Sequence, residues 1–153
     1  MTETLKGRGS GCPICYALDL FGDRWTLLIL RDLLLAGKQR YREFLNSDEA
    51  IASNILSDRL RRLEATELIL REVDPKDRRQ FVYRATDKGR TLIPVLLEIA
   101  AWGASHDPET GAPPGFTEGY YSNREAFHAD HAGMMAGLGK DGESDHAKPA
   151  EQD

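Results

Sequence analysis

IASNILSDRLRRLE, from Ile51 to Glu64, is the stretch whose reading decides the fold. Wound as a helix, it sets Ala52, Leu56, Leu60 and Leu63 on one stripe, the spacing of a helix buried along one side. The opposite face then carries Ser53, Asn54, Ser57, Asp58, Arg61 and Arg62: short hydrogen-bonding side chains followed by guanidinium groups that can reach phosphates or a guanine edge. Such a face suits a helix laid in a DNA groove. An isolated helix with the same pattern is more often a solvated surface, so the flanking chain has to decide.

Outward from it, the chain reads as short helices followed by one hairpin. Cys12 precedes Pro13, which is favoured at a first helical position, and opens a short helix through Tyr16, Leu18 and Leu20 to Phe21. Arg24–Leu35 has Trp25, Leu28, Leu30, Leu33 and Leu34 around it, the mark of a helix buried on several sides; Gly37 supplies a left-handed residue to end it. Tyr41–Leu45 is a third short helix, and the polar NSDE turn leads into the central one. This is a helix-turn-helix arrangement. Leu68–Val73 and Gln80–Ala85 then form a β-hairpin around DPKDRR, with Phe81 and Tyr83 expected on one face and Val82 and Arg84 on the other. Such a hairpin is a wing, and Lys76, Arg78 and Arg79 at its tip can contact the DNA backbone or minor groove. Arg40 and Arg42, at the start of the short third helix, are further phosphate candidates. Arg59 falls near the buried side of the central helix and is expected to make an intramolecular or backbone contact.

Thr86 caps the next helix, expected from Asp87 to about Ala104, with Pro94 forcing a kink or a late start. A long apolar helix after the wing has too little core left to bury it, so a partner subunit is expected. The organisation read from the sequence is a disordered stretch over 1–11, a winged domain with dimerisation helices over 12–105, and an acidic Gly/Pro-rich extension over 106–153 holding a candidate helix over 120–138. The fold class is mainly α with a small β-hairpin.

The net charge of −5 is unevenly spread. Residues 38–90 hold 13 basic against 10 acidic side chains, whereas 105–153 hold 3 against 10. The overall acidity is therefore a poor guide to the groove-facing surface, which lies in the segment with the basic excess. With no long apolar leader and the run Trp25–Leu35 broken by Arg31 and Asp32, a membrane span and a signal peptide are not expected, and a cytoplasmic location is. Two cysteines in such a chain are expected as reduced thiols.

These pieces resemble the HxlR-type (MarR-like) winged helix-turn-helix transcriptional regulators. The resembling residues are CPIC and ALDLFGDRWTLLILRDLLL, then YREF, ILSDRLRRLE, FVYRATDKG and LIPVLLEIAAWG, in unbroken order from Cys12 to Gly103. The resemblance implies a homodimer joined through the N-terminal and long C-terminal helices, binding double-stranded DNA with the central helix in the major groove. Two half-sites about 34 Å apart would follow. It also implies a regulator, read here as a repressor, with a small-molecule or electrophile effector. Arg61 is the base-reading candidate. The chain departs from the family at Ala52, where Ser or Thr is frequent, so a cap would have to come from Ser53 or from Ser47 and Asp48.

Several members of that family sense oxidants through a cysteine just before the first helix, a position that Cys12 matches. Helix N–H groups stabilise a thiolate there, Lys6 and Arg8 could add to this, and Cys15 lies one turn on, able to resolve a sulfenate. The alternative makes Cys12 a scaffold residue and Cys15 a small buried hydrophobe. CPIC is also half of a zinc site by spacing, with His128 and His131 as the other half; nothing fixes their distance from Cys12, so no metal or cofactor is expected. No phosphate loop, HExxH or GxSxG is present, and no enzyme is expected. The alternative function is a dimeric winged-helix protein-interaction module without a specific operator.

Overall fold

The computed structural model describes residues 10–129, which form two compact units, one ending at Glu98 and the other beginning at Ile99. The first unit runs α1 (Pro13–Phe21), α2 (Arg24–Leu34), α3 (Tyr41–Leu45), α4 (Ser53–Ala65), β1 (Ile69–Val73), β2 (Phe81–Ala85) and α5 (Asp87–Arg90); α6 (Ile93–His106) leads into the second, with α7 (Phe116–Ser122) and α8 (Arg124–Ala129). The two strands pair antiparallel from Ile69 opposite Ala85 to Val73 opposite Phe81. This is the winged helix-turn-helix expected from the sequence.

Local chemistry explains most of the boundaries. Asp23 caps α2 by accepting from Thr26 N at 3.1 Å and from the Thr26 hydroxyl at 2.5 Å, which satisfies an otherwise orphaned N–H. Gly37 turns the chain after α2 at φ 71. Thr86 caps α5, accepting from Gly89 N at 3.0 Å. The expected interruption at Pro94 takes the form of a break: α5 stops at Arg90, and Pro94 occupies the first turn of α6, where its missing N–H costs nothing.

The core of the first unit is apolar and continuous in the chain's middle. Ile29, Leu30, Leu33 and Leu34 of α2, Phe44 of α3, Leu56, Leu60 and Leu63 of α4, and Leu68 and Ile69 are all buried. Two details differ from the sequence reading. Ala52 is exposed and Ile51 is buried, because Ala52 is the N-cap, with an extended backbone outside the helix, where helical spacing no longer assigns a face. In β2, Val82 and Tyr83 are both buried while Phe81 and Arg84 are exposed. The pleat still alternates, but the strand is covered on both sides toward its middle, where Val82 lies opposite Glu72 and Tyr83 opposite Arg71. Tyr83 meets Phe44 edge-on, with ring centroids 6.1 Å apart.

The hairpin is braced by the loop between α2 and α3. Tyr83 N donates to Gln39 O at 2.7 Å, and the Arg40 guanidinium pairs with Asp74 and with Gln80 Oε1 at 3.0 Å. Asp74, almost fully buried, also accepts from Lys76 N at 2.9 Å. A lone two-stranded hairpin is marginal in water; these ties make the wing part of the domain.

In the second unit Phe116 and Tyr120 are buried. Tyr120 meets Phe127 edge-on at 5.6 Å, and its hydroxyl bonds His128 Nε2 at 3.0 Å. The candidate helix over 120–138 is met by α7 and α8, separated at Asn123, and its portion from 130 onward lies outside the described residues.

Candidate nucleic-acid interface

The face of α4 opposite Leu56, Leu60 and Leu63 is open. Ser53, Asn54, Arg61 and Arg62 are exposed along it. Arg61 lies back along its own helix, with Nε donating to Ser57 O at 3.3 Å, a long contact that a better acceptor would displace. Ser57 is half-buried, its hydroxyl 3.1 Å from the Tyr41 hydroxyl, and that hydroxyl also bonds Ser53 O at 3.0 Å. Tyr41 therefore holds α3 against the first turns of α4. Sequence reasoning gives Tyr41 a packing role only; its place shortly after Gly37 and before a polar turn carries no signal of a hydroxyl contact.

Arg59 is taken up within the domain, as expected, by Asp23 at 3.0 Å and Asp58 at 2.5 Å. No side chain caps α4: Ser47 is instead held by Asp32 and Lys38, and Ser53 lies inside the helix.

The other basic candidates divide in two. Arg42, Lys76 and Arg78 are exposed, and their charged groups have no hydrogen bond or ion pair among the described residues. Arg40 is committed to Asp74 and Gln80, and Arg79 lies against Asp77 at 3.3 Å while remaining almost wholly exposed. The Asp74 carboxyl lies below its ordinary range, through the Lys76 N–H first and then the Arg40 charge. Sequence reasoning misses Asp74, although an Asp that opens a Pro-containing turn commonly bonds the backbone two residues on.

At the other end of the domain, Cys12 is the N-cap of α1. The N–H groups of Cys15 and Ile14 hold its thiol below the ordinary thiol range, with a smaller contribution from the Cys15 side chain. In the single chain Cys12 is partly exposed and Cys15 exposed. Lys6, Arg8 and His131 lie outside the described residues. Among the described residues no group of three or more His, Cys, Asp or Glu is placed to hold a metal ion, and no helix is long and apolar enough to cross a membrane.

The helices α2 and α3 closing on α4, with a braced β-hairpin beside it, make a winged helix-turn-helix, the fold of a class of transcriptional regulators. The sequence model of the HxlR-like helix-turn-helix family matches residues 20–110, and the chain belongs to that family. It is 34% identical over 96 residues to YybR, an HTH-type transcriptional regulator of Bacillus subtilis (strain 168), spanning 63% of this chain and 76% of that one. Among solved structures, the redox regulator HypR in its oxidized form aligns with a TM-score of 0.56 at 34% identity, covering 61% of this chain and 96% of HypR. The reduced form of the transcriptional regulator YodB from B. subtilis aligns with a TM-score of 0.51 at 33% identity, covering 61% and 92%; YodB has also been solved quinone-bound.

Proposed function

We propose that the protein is a homodimeric, sequence-specific repressor that binds operator DNA through α4 and the wing and is released by oxidation or electrophile attack at Cys12. The observation that carries the DNA-binding part is the exposed face of α4, where Asn54, Arg61 and Arg62 stand clear of the core. Ser53 and Ser57 complete that face near its start, Ser57 sharing its hydroxyl with Tyr41. Arg42, Lys76 and Arg78 supply phosphate contacts, and Arg79 joins them once DNA competes with Asp77. Arg40 acts through the wing that it braces.

Dimerisation is supported by two unfilled apolar surfaces. The helix α1 has no buried residue, and Ile14 and Leu18 are more than half exposed. On α6, Val95, Ile99 and Trp102 are exposed. Apolar helices left bare in one copy are covered in an assembly. The thiol switch is supported by the lowered Cys12 thiol, which keeps more of the reactive thiolate at neutral pH, and by the likeness to a redox regulator and to one solved with a quinone.

The test is operator binding by the purified protein to DNA from its own promoter region, with and without an oxidant, beside a Cys12→Ser variant. Oxidant is expected to release the wild type and leave the variant bound. Binding that oxidant does not alter would remove the thiol switch and leave the DNA-binding assignment standing.

A second measurement separates base reading from backbone contact. Arg61→Ala should cost about 1 to 3 kcal/mol concentrated at one base-pair position, whereas Arg78→Ala should weaken all sequences evenly. An even loss for both, measured across a set of single-base operator variants, would refute the division of roles.

A further inference from the structure

The turn that delivers α4 is held neither by a capping side chain nor by a relaxed backbone. Ala52 is the N-cap and makes no side-chain cap bond. Two residues earlier Ala50 sits at φ 54, a left-handed conformation unfavourable for a residue with a Cβ. The turn closes one backbone bond of its own, from Ala50 N to Ser47 O at 2.9 Å, and the rest of its support comes from outside it.

The support comes from a mixed ionic cluster on α2. Asp32 is 4% exposed. It accepts Lys38 Nζ at 3.1 Å, Arg31 Nε at 3.0 Å and Nη2 at 2.8 Å, and the Ser47 hydroxyl. Lys38 Nζ also donates to Ser47 Oγ at 3.0 Å. Arg31 continues to Glu49 through paired bonds of 2.6 and 3.0 Å. The two acids and two bases balance in charge, and the cluster joins the end of α2, the loop after it and the first part of the α3–α4 turn, at Ser47 and Glu49.

We propose that Asp32 is a positioning residue for DNA recognition: through Ser47, Lys38 and the Arg31–Glu49 pair it sets the rotation and angle at which α4 leaves the turn. This rests on the reading of α4 as the recognition helix. The apolar contacts of Leu56, Leu60 and Leu63 decide which face of α4 is buried, but burial is non-directional, whereas forked, charge-assisted bonds also fix an angle. A rotation of about 20° swings a side-chain tip about 5 Å from the helix axis through about 2 Å, more than a hydrogen bond tolerates. At the other end of α2, Asp23 holds Arg59 of α4 at 3.0 Å. The recognition helix is thus tied at its middle, through Arg59, to the N-cap of α2, while the Asp32 cluster at the other end of α2 holds the turn that leads into α4.

A positioning role and a merely structural one differ in what they do to specificity. The full-length Asp32→Asn and Glu49→Gln variants would be titrated, beside the wild type, against a labelled duplex from the protein's own promoter region and a scrambled duplex of equal length. Thermal melts would establish the folded fraction at the assay temperature. The expected result is a scrambled-duplex affinity and salt slope like the wild type's, with the operator-to-scrambled ratio reduced about tenfold in Asp32→Asn, the scale of one lost base contact, and less in Glu49→Gln. An unchanged ratio in both variants overturns the proposal, as does loss of both affinities in step with the folded fraction. Should Asp32→Asn not fold, Glu49→Gln, at the half-buried edge of the cluster, decides alone. A wild type with no preference for the promoter duplex would overturn the functional reading itself, and this inference with it.

Discussion

Truncating Phe44 to alanine should destabilise the winged-helix unit by about 3 to 5 kcal/mol, with a fall in melting temperature on the order of 20 °C. The side chain is 1% exposed and stands edge-on to Tyr83 of β2. It anchors α3, a helix of five residues, far too short to persist by its own hydrogen bonds. Tyr41 and Arg42 lie on the same helix, so the variant should also lose DNA affinity in the fraction that stays folded. Thermal and urea melts followed by circular dichroism check the first part. A loss below about 1 kcal/mol, the size of an ordinary substitution, would show that α3 is held by something other than Phe44.

Raising the salt concentration should weaken operator binding steeply. Arg42, Lys76 and Arg78 offer three cations per subunit that are unengaged among the described residues. These three alone, neutralising about six phosphates in a dimer, give a log–log slope near −5, a loss of roughly 10³-fold between 50 and 200 mM salt, and Arg79 steepens it once it leaves Asp77. Arg78→Ala, removing two of those contacts from the dimer, should flatten the slope by about 2. Fluorescence anisotropy titrations across that range measure both. A slope close to −1 would mean that the wing does not reach the backbone. Arg40 provides the contrast. Its charge is already spent on Asp74, so Arg40→Ala should act by loosening the hairpin.

Part of the candidate surface is legible in the amino-acid sequence. Asn54, Arg61 and Arg62 fall on the open face because the leucines at 56, 60 and 63 define the buried one, and helical spacing does the rest. Arg59 is assigned inward for the same reason. Its partner cannot be named from spacing, since Asp23 is 36 residues away. Arg40 and Arg42 look alike in sequence, two arginines flanking one tyrosine. They part only because the chain folds back and brings Asp74 to the first, and no acid among the described residues to the second.

Features that depend on near neighbours follow from the order of residues: the cap at Asp23, the left-handed turn at Gly37, the cap at Thr86, the break before Pro94, and the succession of periods that makes helices end and a hairpin begin. Each rests on backbone groups within about four residues, where dihedral preference and hydrogen bonding act without long-range help. Which polar groups are spent and which are left over is a property of the folded chain. Ser47 is engaged by Asp32 and Lys38, Ser57 by Tyr41, and Arg40 by Asp74. Such partners meet only after the apolar core has closed, because it is the non-directional burial of Leu30, Phe44, Leu56 and Leu60 that brings distant parts of the chain within hydrogen-bond range.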